Sequence, residues 1–199
     1  MKIMHFETKA DMFQKMKRKL KRTGDRLGRP IDEGIFDVVL YLNLLGIETE
    51  ASCEGHLDHG VAAPWIDFVP PTTALYRKLQ KKADVQYESI RAAVEEGDTQ
   101  GHIQTLQMAH GETMERISIL LKQSIQPVMK LLSEFYTQHR CNYEYMLTFR
   151  NAWQFARLTN VGEMFQDIRD KNEQKKHLIH YQKEMQEFMS FLRMKWEGN

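Results

Sequence analysis

The chain has 199 residues, a formal net charge of +1 at pH 7, and 42% apolar, 28% charged and 10% aromatic residues. That length can bury a core without disulfide or metal staples, and that composition excludes a disordered or low-complexity chain. No segment approaches the roughly 20 apolar residues of a membrane span and no apolar run resembles a secretion signal, so the expectation is a cytoplasmic protein with no membrane partner.

The charge is unevenly placed. Residues 1–30 hold ten Lys or Arg against three Asp or Glu, and the remainder holds eighteen against twenty-four, so a basic contact surface belongs at the start of the chain. Lys2 to Phe6 can form a short strand. From Thr8 to Arg22, Met12, Phe13, Met16 and Leu20 fall on one helical face, with Lys15, Lys17, Arg18, Lys19, Lys21 and Arg22 around the other. A polar link through Gly28, Arg29 and Pro30 follows. Asp32 can cap a second helix, apolar nearly all round through Ile35, Phe36, Val38, Val39, Leu40, Leu42, Leu44 and Leu45, with Gly46 and Ile47 at its stop.

Glu48 to Cys53 and Trp65 to Val69 read as strands, the second ended by Pro70-Pro71. Thr72 or Thr73 can cap a helix to about Glu96. Gly97-Asp98 then turns into a helix reaching about His139, in which Pro127 predicts a kink or break. Residues 72–139 thus form a helical hairpin inserted between strands. Tyr143, Tyr145, Leu147 and Phe149 alternate with polar neighbours as a strand, Asn151-Ala152 can turn the chain, and Trp153 to Thr159 is its partner. A last helix from Val161 to Trp196 carries an apolar stripe through Met164, Phe165, Ile168, Leu178, Tyr181, Met185, Phe188, Met189 and Leu192. The expected fold is a single α+β domain, residues 1–199, with a small, mostly antiparallel sheet of about four strands and dominant long helices. The sequence has no internal repeat, phosphate loop, Gly-x-Gly-x-x-Gly or Cys-x-x-Cys.

The stretch with the densest chemistry is Ser52-Cys53-Glu54-Gly55-His56-Leu57-Asp58-His59, on the connection leaving the first of the strands after Gly46. Cys53, His56 and His59 have a C-x-x-H-x-x-H spacing that can converge on one ion. Zinc accepts such a sulfur and nitrogen set, and three protein ligands leave a position for water or substrate. Asp58 can be a fourth ligand or can orient an imidazole, and Gly55 suits a sharp turn or a close ligand. Without metal, Cys53 can act as a nucleophile activated by His56, with Glu54 orienting the imidazole. His5, His110, His139, His177 and His180 are further partners across space. The plainer alternative is a small buried Cys53 at a strand end with His56 and His59 solvated. Cys53 and Cys141 lie far apart and read as free thiols.

The run Leu45-Gly46-Ile47-Glu48-Thr49-Glu50-Ala51-Ser52-Cys53-Glu54-Gly55-His56, followed by Pro64-Trp65-Ile66-Asp67-Phe68, resembles a pattern in uncharacterised bacterial and phage proteins. It covers about a tenth of the chain and implies no established activity. Thr49 to Gly55 is also similar to the Ser-Cys-x-Gly segment of the archaeal and eukaryotic methyltransferases of wybutosine synthesis on transfer RNA. Those proteins have Arg after the glycine, where this chain has His56.

Two functional expectations follow. The first is a pocket for a small polar ligand or a divalent metal such as zinc, with Cys53, Glu54 and His56 as catalytic candidates. Gly55, Trp65, Asp67 and Arg150, or Arg157, would bind the ligand, arginine suiting a carboxylate or phosphate. The second is a helical interaction protein, a homo-oligomer closed by the long apolar stripes, whose basic helix contacts nucleic-acid phosphates without reading sequence. The narrow apolar face of that helix, which lacks Trp, suits packing onto the domain better than a membrane surface.

Overall fold

The structure is a computed structural model that describes residues 7–24, 28–70, 73–152 and 155–198. The expected strand at Lys2 to Phe6 lies outside the described residues. The fold is α+β, with a four-stranded sheet and long helices. In chain order the elements are α1 (Lys9–Lys21), α2 (Glu33–Leu44), β1 (Thr49–Cys53), β2 (Trp65–Phe68), α3 (Thr73–Glu95), α4 (Gln100–Gln138), β3 (Leu147–Ala152), β4 (Phe155–Asn160) and α5 (Lys171–Gly198).

α1 begins where a capping box forms: Thr8 Oγ1 accepts from the Asp11 N–H at 3.1 Å, and Asp11 Oδ2 accepts from the Thr8 N–H at 3.1 Å. Phe13, Met16 and Leu20 turn inward against the core. Lys9 is drawn from the basic face to donate to the Trp196 and Glu197 carbonyls at 3.2 and 3.3 Å, where the negative end of the α5 dipole favours a cation. α2 is apolar nearly all round because α1, β1 and α5 all pack against it, and Ile35, Val38, Leu40 and Leu42 are fully buried. It stops as the sequence suggests. Gly46 takes φ +80°, and the Ile47 N–H reaches back to the Leu42 carbonyl at 2.9 Å.

The sheet order is β1-β2-β4-β3, antiparallel throughout. Alternation along β2 sends Ile66 and Phe68 to one face, where they join Leu158 and the inner sides of α2, α4 and α5 in the main core. Trp65 and Asp67 point to the other face. There Arg157, paired with Asp67 in register, makes two bonds to its carboxylate at 2.7 and 2.8 Å, with its guanidinium 3.9 Å from the Trp65 ring centroid. α3 and α4, joined through Glu96 to Thr99, pack along each other and build a smaller core from Tyr76, Leu79, Ala83, Ile117 and Leu121 on Ala156.

Four local expectations change. Pro127 does not break α4; Val128, Leu132 and Phe135 beyond it are buried in the main core, and that packing outweighs the roughly 3 kcal/mol a helical proline costs. Tyr143–Tyr145 is a 3-10 turn rather than strand, because the Asn142 side chain accepts from the Glu144 N–H at 3.2 Å; the strand starts at Leu147. Asn151 and Ala152 remain in the ladder, paired with Ala156 and Phe155, so they do not themselves turn the chain; Trp153, the expected start of the partner strand, lies outside the described residues. Val161–Ile168 is a separate 3-10 helix, and Asp170 starts α5 by accepting from the N–H groups of Asn172 and Glu173. Met164, Phe165 and Ile168 are therefore exposed, Ile168 at 84%, instead of continuing the buried stripe. Among the described residues no helix is long and apolar enough to cross a membrane.

The Asp67–Arg157 pair gives a direct test of the sheet's polar face. Arg157→Met leaves the buried Asp67 carboxylate without its cation and is expected to destabilise the fold by about 3 kcal/mol, read as a lowered midpoint in urea unfolding.

Candidate functional site

The loop between β1 and β2 owes its shape to Gly55. Its φ is +85°, and a Cβ there would stand 2.7 Å from the Ala63 carbonyl carbon and 2.8 Å from Leu178 Cδ1, so both the backbone and the space require glycine. The His56 N–H donates to the Val61 carbonyl at 3.1 Å and closes the loop on itself. α5 then fastens it from outside. Lys171 Nζ donates to the Leu57 carbonyl at 2.6 Å, and Gln182 Nε2 donates to the Glu54 carbonyl at 3.0 Å.

The start of α2 meets this loop in a reciprocal exchange. Asp32, at the N-cap position, makes no side-chain bond to its own helix. Its Oδ2 instead accepts from the Glu54 N–H at 3.0 Å, while Glu54 Oε2 accepts from the Gly34 N–H at 2.7 Å and so caps α2 from another element. The same Asp32 oxygen lies 3.4 Å from His56 Nε2. One donor atom from each of Asp32, Cys53 and His56 lies within 4.8 Å of the others.

This trio borders a cavity of ≈ 380 Å³ between the α1–α2 link and β1, whose wall includes Leu20, Arg29, Val39, Ser52, His59 and Trp65. Burial pushes the Cys53 thiol above its ordinary value; the Gly55 N–H, 3.4 Å from Sγ, acts in the opposite direction, and the nearby Asp32 carboxylate adds to the rise. The thiol is therefore protonated at neutral pH, which disfavours the metal-free nucleophile. A divalent cation between Asp32 and His56 would reverse that preference, since coordination deprotonates a thiol.

The structure brings some of the expected residues together and separates others. Cys53, His56 and His59 all border the cavity; Asp32 joins Cys53 and His56 in one donor group, and Asp58 and His59 join His56 in another, the donor atoms of each group lying within 4.8 Å of one another. His59 stacks on His56, with centroids 4.2 Å apart and planes at 17°, and bonds to Asp58 at 2.9 Å. Asp58 is exposed beside it. Glu54 faces α2 rather than the imidazole. Trp65 lines the cavity, Asp67 is engaged by Arg157, and Arg150 is turned to Glu163 at 2.5 Å.

No family model, curated protein or solved structure matches the chain. The site is therefore read from its own geometry. Asp32 is the member that the sequence hid. It carries an ordinary helix-cap signature twenty-one residues before Cys53, and no spacing rule links the two. His177 and His180, three apart on α5, do not form a ligand pair. His177 Nδ1 lies 3.5 Å from Glu144 and its burial holds the ring below the usual histidine range, while His180 stacks on Tyr145 at 4.6 Å.

A raised thiol pKa in the folded state means that Cys53 contributes no electrostatic penalty below its unfolded value, and that stability falls as pH rises through the folded one. Alkylation by iodoacetamide at about pH 8.5, where an unfolded cysteine is half thiolate, is expected to be slower for native Cys53 than for the unfolded chain, and faster in Asp32→Asn. A native rate equal to the unfolded one would contradict the geometry.

Proposed function

We propose that the protein binds a divalent transition metal, zinc by its donor set, through Asp32, Cys53 and His56, and that the adjoining cavity takes a small polar ligand which reaches the metal. The observation that carries this reading is the convergence of a carboxylate oxygen, a thiol and an imidazole nitrogen within 4.8 Å at the cavity edge. Zinc bonds of about 2.0 Å to nitrogen or oxygen at a tetrahedral angle separate two such ligands by about 3.3 Å, against 3.4 Å between Asp32 Oδ2 and His56 Nε2. Three protein ligands leave one position open. A water held there would be acidified toward neutrality and would serve hydrolysis or a lyase step. Ser52 and Arg29 give the wall polar groups beside apolar Leu20, Val39 and Trp65, a lining that suits a small molecule with an anionic or hydroxyl group.

Elemental analysis of protein purified without a metal-affinity tag tests this reading. Cys53→Ala and Asp32→Asn are each expected to carry one metal fewer per chain than the parent while keeping its circular dichroism. Equal metal content in parent and variants would overturn it.

A second reading, a homodimer closed through the α3–α4 helical hairpin, is favoured by one observation. Met108 and Ile119, eleven residues apart and so on one side of α4, are 70% and 49% exposed. Light scattering is expected to give twice 23.5 kDa in the parent and 23.5 kDa in Met108→Glu/Ile119→Glu. Nucleic-acid contact through Lys17, Arg18, Lys19 and Lys21 would belong to the same reading, as a salt-sensitive gel shift lost on their replacement.

A further inference from the structure

A second cluster of unlike donors sits where the end of α4 meets the middle of α5. Glu184 is 4% exposed, yet its carboxylate is surrounded by polar groups. Tyr136 donates its hydroxyl to Oε1 at 2.9 Å, Cys141 Sγ lies 3.3 Å from Oε1, and His139 Nε2 lies 3.0 Å from Oε2. Among the described residues, His139 is the one ion-pair partner Glu184 has, and only when that imidazole is protonated. A buried carboxylate with neutral donors around it is short of positive charge.

We propose that His139, Cys141 and Glu184 form a second divalent-metal site, of the type that zinc occupies, independent of the Asp32–Cys53–His56 centre. The two groups share no residue, and one atom from each of His139, Cys141 and Glu184 lies within 4.8 Å of the others. Two of the separations are close to those between ligands of the ion. Tetrahedral zinc with bonds of about 2.0 Å to nitrogen and oxygen and about 2.3 Å to sulfur sets ligand edges of about 3.3 and about 3.5 Å. The structure has 3.0 Å between His139 Nε2 and Glu184 Oε2 and 3.3 Å between Cys141 Sγ and Oε1, so each of the other two groups already stands near one such edge from the carboxylate.

The surroundings already orient these ligands. The His139 ring stacks on Phe135, with centroids 4.5 Å apart and planes at 15°, which aims Nε2 at Glu184. Tyr136 accepts the Leu147 N–H at 2.7 Å and donates to Glu184 Oε1, so its hydroxyl is held as an outer partner of the carboxylate. On binding, the Cys141 S–H bond breaks, the proton leaves to solvent, and the thiolate electron pair forms the bond to the metal; His139 enters neutral and Glu184 ionised. His139 and Cys141 are partly exposed, which leaves solvent access for a water in the fourth position.

The Cys53→Ala protein keeps Cys141 as its one thiol and removes the first centre from the readout. Stripped with a chelator and titrated with zinc, it is expected to bind one zinc per chain and to lose its Cys141 alkylation by iodoacetamide in step with that binding. Tyr136→Phe is expected to weaken the binding by about 10–100-fold, the usual effect of losing an outer partner. His139→Gln and Glu184→Gln, near-isosteric changes checked by circular dichroism, are expected to abolish the protection. The proposal is overturned if folded Cys53→Ala binds no zinc, if zinc leaves Cys141 alkylation unchanged, or if protection survives His139→Gln. Failure of the first centre alone would appear as parent and Cys53→Ala binding the same single zinc.

Discussion

The exchange between Asp32 and Glu54 organises this end of the molecule. A helix N-terminus leaves backbone N–H groups without partners, and a capping side chain ordinarily comes from the residue just before the helix. Here the cap comes from Glu54, beyond β1, while Asp32 accepts the Glu54 N–H in return. Two short charge-assisted bonds thus tie the start of α2 to the end of β1. Because Asp32 is released from capping its own helix, its carboxylate is free to lie beside Cys53 and His56. The cluster exists as a consequence of how α2 is capped.

The same exchange sets the electrostatics of the cavity edge. Burial raises the pKa of the Cys53 thiol, and the Asp32 carboxylate beside it adds to the rise. A carboxylate next to a protonated thiol describes a site that gains from a cation. Gly55 permits the turn that brings the groups together, and the stacked His59 holds the His56 ring.

α5 serves two regions at once through helical periodicity. Gln182 and Gln186, four residues apart, reach the β1–β2 loop and the start of α2 at the Glu54 and Gly34 carbonyls. Glu184, two residues from each and so on the opposite side, turns to the end of α4 and to Cys141. Residues such as Met185, Phe188 and Leu192 fill the core between these sides. The helix that steadies one cluster therefore contributes a ligand atom to the other.

Much of the architecture was legible in the sequence, because hydrophobic periodicity and local stop signals are properties of neighbouring residues. α1, the nearly all-round apolar surface of α2, the Gly46 stop, the β1 and β2 strands and the long pair α3 and α4 follow from residue spacing. Pro127, the Tyr143–Tyr145 turn and the exposed 161–168 segment did not, since each is decided by packing or a side-chain bond that competes with local propensity. Cys53 and His56 stood out as a cluster because they are close in the chain. Asp32 did not, and neither did the meeting of Cys141 and His139 with Glu184 forty-three and forty-five residues away. By itself the sequence determined which elements form and which loop carries reactive groups. Only the tertiary structure decided which carboxylate completes each cluster, because partners distant in the chain are brought together by helix and strand packing, which leaves no periodic trace.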